Sequence, residues 1–143
     1  NMLPANAQKE LKEALAETAA NNGLTLVMAL SYSSRWEIID AVKKVAEDVA
    51  AGKITAADIS TETFPTYLNT RSIPDPELMI RTGGEYRISN FLLYQAAYCE
   101  LYFTETRWPE FRKDNLYKAI IDFQQRERRF GKTGDQVKKN TTN

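Results

Sequence analysis

Two arginines, Arg81 and Arg87, bracket a Gly83-Gly84 pair, and Ser89 follows close behind. A guanidinium presents its N–H donors in a planar fork that matches phosphate oxygens, so two of them suit a diphosphate better than lysines would. The glycines let backbone approach a ligand closely and can aim amide hydrogens at an anion. Ser89 falls where the sequence predicts a helix to begin, and a helix N-terminus with a hydroxyl at its cap is a ready phosphate site. Arg81, Arg87 and Ser89 together predict a diphosphate clamp. A rival reading stands beside it, because an arginine after a buried strand also caps carbonyls or pairs with a neighbour such as Glu85. Glu100 opens a strand rich in aromatics, where a bare carboxylate costs free energy unless it is paired or metal-bound. It is read either as a salt-bridge partner or as a ligand for Mg2+.

These residues need elements to hold them. Leu11, Ala14, Leu15 and Thr18 recur at helical spacing and predict a helix over 7–20, with Asn22-Gly23 as its stop. The run 24–32 (LTLVMALSY) is short and almost continuously apolar, which predicts a buried strand of a parallel sheet. Ser34 and Glu37 read as a capping box for a helix expected to bury Ile38, Ile39, Val42, Val45, Ala46 and Val49 and to close at Gly52. Prolines 65, 74 and 76 leave 53–76 to one or two short helices and a loop. Leu78-Met79-Ile80 reads as a second strand, 89–98 as a helix, and 101–104 as a third strand. A last helix is expected over 114–130, with Gly131 at its end. Strands alternating with helices predict an α/β fold with a mostly parallel sheet flanked by helices. In such a sheet ligands gather beyond the carboxyl ends of the strands, which is where Arg81 falls.

Composition narrows the chemistry. The 143 residues contain no histidine and one cysteine, Cys99, which excludes serine–histidine and cysteine–histidine catalysis, structural zinc and a disulfide framework. Lysine plus arginine and aspartate plus glutamate are both 19, so no global field draws the chain to nucleic acid or an anionic membrane, and any anion site is local. No nucleic-acid partner is expected: the cations from Arg126 to Lys139 read as a solvated helix end. No apolar run is long enough to span a bilayer, and the expected location is cytoplasmic.

Residues 80–111 (IRTGGEYRISNFLLYQAAYCELYFTETRWPEF) closely resemble the C-terminal signature of bacterial undecaprenyl diphosphate synthases, members of the cis-prenyltransferase family. Arg126-Glu-Arg-Arg-Phe-Gly131 resembles the family's closing motif. Upstream, Asn21-Asn-Gly-Leu-Thr-Leu26 and Tyr32-Ser-Ser-Arg-Trp-Glu-Ile38 resemble its strand and following helix, in register. The resemblance implies repeated cis-condensation of isopentenyl diphosphate onto an allylic diphosphate, giving undecaprenyl diphosphate, the lipid carrier for cell-wall sugars. It implies that Arg81, Arg87 and Ser89 hold the diphosphate of isopentenyl diphosphate and that Glu100 helps position Mg2+. It also implies that Leu24 and Leu26 line the tunnel for the growing chain. A homodimer is implied, with contacts from the 91–103 region, as is no more than peripheral membrane association through the lipid product.

Three departures qualify the likeness. Ser31-Tyr32-Ser33-Ser34-Arg35 stands where the family has Asn-Tyr-Gly-Gly-Arg, and Tyr86 stands where relatives often have histidine. The family's Asp-Gly-Asn-Gly-Arg-type loop, whose aspartate is catalytic, has no counterpart in this sequence. The expectation is therefore that residues 1–132 form the C-terminal portion of a single cis-prenyltransferase domain, an incomplete fold that is inactive alone, and that 133–143 form a polar, disordered tail. The alternative is a non-catalytic partner subunit of a heteromeric enzyme.

Overall fold

A computed structural model of the chain describes residues 3–127. The chain falls into two compact units that divide after Tyr32. Its elements are α1 (Ala5–Thr18), α2 (Ser34–Ala50), β1 (Leu78–Arg81), β2 (Glu100–Phe103) and α3 (Lys113–Gln125), with short 3-10 turns at Ala56–Asp58, Phe64–Tyr67 and Trp108–Glu110. The expected α/β class holds, with a parallel sheet and flanking helices. The expected closing motif from 128 onward and the tail at 133–143 lie outside the described residues.

In the first unit α1 stops at Thr18, two residues short of the expected end. The Thr18 hydroxyl donates back to the Ala14 carbonyl at 2.7 Å, and the Asn21 N–H reaches the Thr18 carbonyl at 3.0 Å, turning the chain away. The run 24–32 is not a strand, contrary to expectation. Strand backbone is satisfied by a hydrogen-bonded neighbour, and among the described residues the only ladder is β1 with β2. The run is irregular, with Ser31 at φ 54° and Leu24 96% and Leu26 80% exposed. Its apolar pattern states what the segment could bury; it does not supply a partner.

The second unit is organised by the first turn of α2. Ser33, not Ser34, is the cap, its Oγ accepting from the Trp36 N–H at 3.4 Å. The expected capping box is replaced by something stronger, for Ser34 and Glu37 are both buried and bond to other segments. Ser34 Oγ accepts from the Leu93 N–H at 2.9 Å. Glu37 Oε1 accepts from the Asn69 N–H at 2.9 Å, and Oε2 from Gln95 Nε2 at 3.0 Å. Asn90 Oδ1 accepts from the Arg35 N–H at 2.9 Å, so a residue distant in sequence satisfies one of the helix's otherwise open donors.

The same bonds explain why 89–98 is not the expected helix. Ser89, Asn90 and Leu92 have φ of 47°, 64° and 48°, the left-handed region that a right-handed helix excludes. Docking of Asn90, Leu93 and Gln95 onto α2 overrides the local helical pattern. Beneath this polar layer Ala41 and Val45 of α2, Leu68, and Ala119 of α3 are buried, and Phe64 packs on Tyr94 with ring centroids 5.3 Å apart.

β1 and β2 pair in parallel as Leu78 with Glu100, Met79 with Leu101, Ile80 with Tyr102 and Arg81 with Phe103. α3 ends at Gln125, with Arg126 already extended at φ −82° and ψ 138°, so the last helix is shorter than expected. Glu37 sets a prediction for this scaffold. Glu37→Leu leaves the Asn69 N–H without its acceptor and Gln95 Nε2 with Thr70 Oγ1 alone, and should lower unfolding stability by about 2–4 kcal/mol, at 1–3 kcal/mol per lost bond. Glu37→Gln, which keeps a carbonyl acceptor, should cost less than half as much, as read from chemical denaturation midpoints.

Candidate anion-binding site

Side chains alternate across a strand, so Met79 and Arg81 share one face of β1 with Leu101 and Phe103 of β2. On that face the crossover from β1 to β2 folds back and encloses a cavity of about 120 Å³. Arg81 and Arg87 line it together, with Met79, Ile88, Phe91 and Phe103 forming an apolar wall. The structure therefore brings the two expected arginines to one cavity at the carboxyl end of β1.

Arg81 Nε is buried and has no hydrogen-bond partner among the described residues. A buried donor on a charged group is costly to leave unmet, so an orphan of this kind marks a place where an oxygen acceptor is wanted. Arg87 is more exposed and forms an ion pair with Glu85, the neighbour that the rival reading pairs with Arg81. An anion that binds Arg87 has to compete with that carboxylate, but an exposed pair is worth only about 0–1 kcal/mol and yields readily.

Two expectations about this site need correction. Ser89 is exposed in a left-handed turn and does not begin a helix, so no helix terminus contributes to the site. The Gly83 and Gly84 amides are also committed, donating at 3.0 Å to the carbonyls of Thr106 and Thr104. The glycines serve the turn instead: φ is 85° and 72°, and a Cβ on Gly84 would sit 2.4 Å from Glu105 Oε2. Glu105 Oε1 accepts from the Tyr86 hydroxyl at 3.1 Å, and this carboxylate holds the Tyr86 phenol above its ordinary pKa.

Glu100 is placed apart from the arginines. It pairs with Leu78 at the other end of the ladder, about 10 Å from the Arg81 level at roughly 3.3 Å per residue, and on the other face of the sheet. Its Oε2 is 2.9 Å from Arg126 Nη1, which also donates to the Leu101 carbonyl at 2.9 Å, while the Arg126 Nε bonds Asp122 Oδ2 at 2.8 Å. Of the two roles open to Glu100, this structure displays the salt bridge. Among the described residues no three acidic, histidine or cysteine side chains gather as a metal site. In the first unit Leu26, with Leu11 and Leu15 of α1, lines an open apolar groove of about 410 Å³, which Leu24 does not line. No helix among the described residues is long and apolar enough to cross a membrane.

Sequence reasoning missed Arg126 as the partner of Glu100, and Glu105 as the neighbour of Gly84. The second was within reach: strands paired in parallel with Arg81 opposite Phe103 bring the turns after them side by side.

The family model described as putative undecaprenyl diphosphate synthase matches residues 1–131. The chain belongs to this family. It is 52% identical over 135 residues to an isoprenyl transferase of Porphyromonas gingivalis, covering 94% of this chain and 53% of the relative. An isoprenyl transferase of Chlorobaculum tepidum is 49% identical over 139 residues, covering 97% and 52%. Among solved structures, lavandulyl diphosphate synthase from Lavandula x intermedia in complex with dimethylallyl diphosphate matches with a TM-score of 0.85 and 35% identity, covering 92% of this chain and 56% of that one. A probable undecaprenyl diphosphate synthase from Campylobacter jejuni matches with a TM-score of 0.72 and 33% identity, covering 92% and 59%. The chain thus spans about half the length of the two isoprenyl transferases.

Arg126 carries the prediction here. Arg126→Met leaves the half-buried Glu100 carboxylate and the Leu101 carbonyl without their shared donor and should reduce stability by about 1–3 kcal/mol. Arg126→Lys should recover only part of this, because an ammonium cannot reproduce the three-way fork. Thermal and denaturant unfolding of the two variants check it.

Proposed function

We propose that this chain carries the isopentenyl-diphosphate-binding part of a cis-prenyltransferase. Arg81 and Arg87 grip the diphosphate, Ser89 donates its exposed hydroxyl to an outer oxygen, and the five-carbon group lies along Met79, Ile88, Phe91 and Phe103. The observation that supports this most directly is that Arg81, whose buried Nε has no partner among the described residues, lines an otherwise apolar cavity together with Arg87. Two guanidiniums against an apolar wall complement a small apolar group that ends in a multiply charged phosphate.

In the whole enzyme the isopentenyl double bond attacks the allylic carbon. The new carbon–carbon bond forms as the allylic carbon–oxygen bond to diphosphate breaks, and a proton leaves the condensed product. The part played by these residues is to bind and orient the isopentenyl partner, converting an encounter into a positioned reaction. Repeated cycles would yield undecaprenyl diphosphate for cell-wall assembly, and the groove that Leu26 lines would house part of the product. Mg2+ would neutralise diphosphate charge when bound. Because Glu100 is committed to Arg126 on the other face, no step is assigned through the metal.

Calorimetric titration with isopentenyl diphosphate tests the reading. The wild-type chain should bind saturably, and the Arg81→Ala, Arg87→Ala double variant should bind at least about 10-fold more weakly, since each charge-assisted contact is worth about 1.5–3 kcal/mol. Equal affinity of a folded double variant, or no binding by the folded wild type, would contradict it.

A further inference from the structure

We propose that Glu105 is a positioning residue for the anion site, acting through Tyr86 and Gly84 on the turn that carries Arg87; the proposal rests on the diphosphate reading above.

β1 and β2 end at the same level, so the segments that follow them run side by side. They are joined by backbone bonds: Thr104 N–H to the Arg81 carbonyl, Gly84 N–H to the Thr104 carbonyl and Gly83 N–H to the Thr106 carbonyl, each at 3.0 Å. Onto this paired turn the Glu105 side chain folds. Oε2 lies 2.4 Å from where a Cβ of residue 84 would be, and Oε1 accepts from the Tyr86 hydroxyl at 3.1 Å. The Tyr86 ring also lies 5.3 Å from that of Phe103, which lines the cavity. One carboxylate therefore contacts the residues on either side of Glu85, and the next residue after Tyr86 is Arg87.

The consequence concerns where Arg87 starts from. Its side chain is long and exposed, and its ion-pair partner among the described residues is the adjacent Glu85, so its aim at the cavity rests on its own backbone placement. Fixing residues 84 and 86 fixes that placement, and pre-organising a binding group lowers the ordering cost at the moment of binding. Tyr86 is 71% exposed, so the grip is solvated and its effect modest.

Glu105 also bears a negative charge near an anion site, and a pure charge effect has the opposite sign. Removing the carboxylate would then tighten binding, whereas removing a positioning contact weakens it. The test is the dissociation constant for isopentenyl diphosphate in Glu105→Ala, Glu105→Gln, Tyr86→Phe and the Glu105→Ala, Tyr86→Phe double variant, with Arg81→Ala as control and thermal unfolding of each. Glu105→Ala and Tyr86→Phe should each weaken binding by about 2- to 10-fold, the range of one hydrogen bond. The double variant should be no worse than the weaker single, because both remove the same contact. Glu105→Gln, which still accepts from the tyrosine, should bind like wild type. Tyr86→Phe keeps the ring on Phe103 and guards against a result that reflects misfolding. If Arg81→Ala loses binding while Glu105→Ala and Tyr86→Phe bind as tightly as wild type or more so, the positioning role is wrong and the diphosphate reading stands. If the folded wild type does not bind, both fall together.

Discussion

The four-rung parallel ladder between β1 and β2 is the constraint on which the site depends. Parallel strands cannot be joined by a tight hairpin, so the chain between Arg81 and Glu100 has to travel back along the sheet before β2 can begin. That return path roofs the cavity and delivers Arg87 opposite Arg81. The pleat then sorts the polar residues, with Arg81 on the cavity face and Glu100 on the other, where it meets Arg126. A one-residue slip would exchange those faces and bring Glu100's side of the sheet to the cavity.

The return path lacks a regular helix, so something else has to fix it, and α2 does so. The open donors at a helix start are usually satisfied by the helix's own cap. Here Ser33 and Asn90 share that task, and Ser34 and Glu37 reach outward to Leu93, Asn69 and Gln95. A buried carboxylate with neutral donors is tolerable only while each donor stays in place, so the network resists local rearrangement. The positive φ values at Ser89, Asn90 and Leu92 are sustained by these bonds and surround Phe91, which lines the anion cavity.

How much of this was legible in the sequence follows from which forces are local. β1, β2 and the short turns between residues 53 and 76 could be read because apolar runs and prolines act where they stand. Arg81 and Arg87 could be read from residue type and from position after a strand. The segment 89–98 misled because its helical pattern is local while the bonds that unwind it come from α2, more than fifty residues away. The run 24–32 misled because hydrophobicity reports a tendency to be buried, and a strand also needs a neighbour's backbone. Glu100 could be narrowed to two roles, but choosing between them required knowing that Arg126 returns to the same edge of β2.

The central claim is that Arg81 Nε is an unmet donor waiting for a phosphate oxygen. Nitrogen-15 NMR of the arginine side chains follows that N–H directly as isopentenyl diphosphate is added. The account predicts that the Arg81 Nε–H resonance shifts saturably and its hydrogen exchange slows, while the Arg126 Nε–H, already bonded to Asp122, stays where it is. An Arg81 resonance that does not move while the ligand binds elsewhere would contradict it.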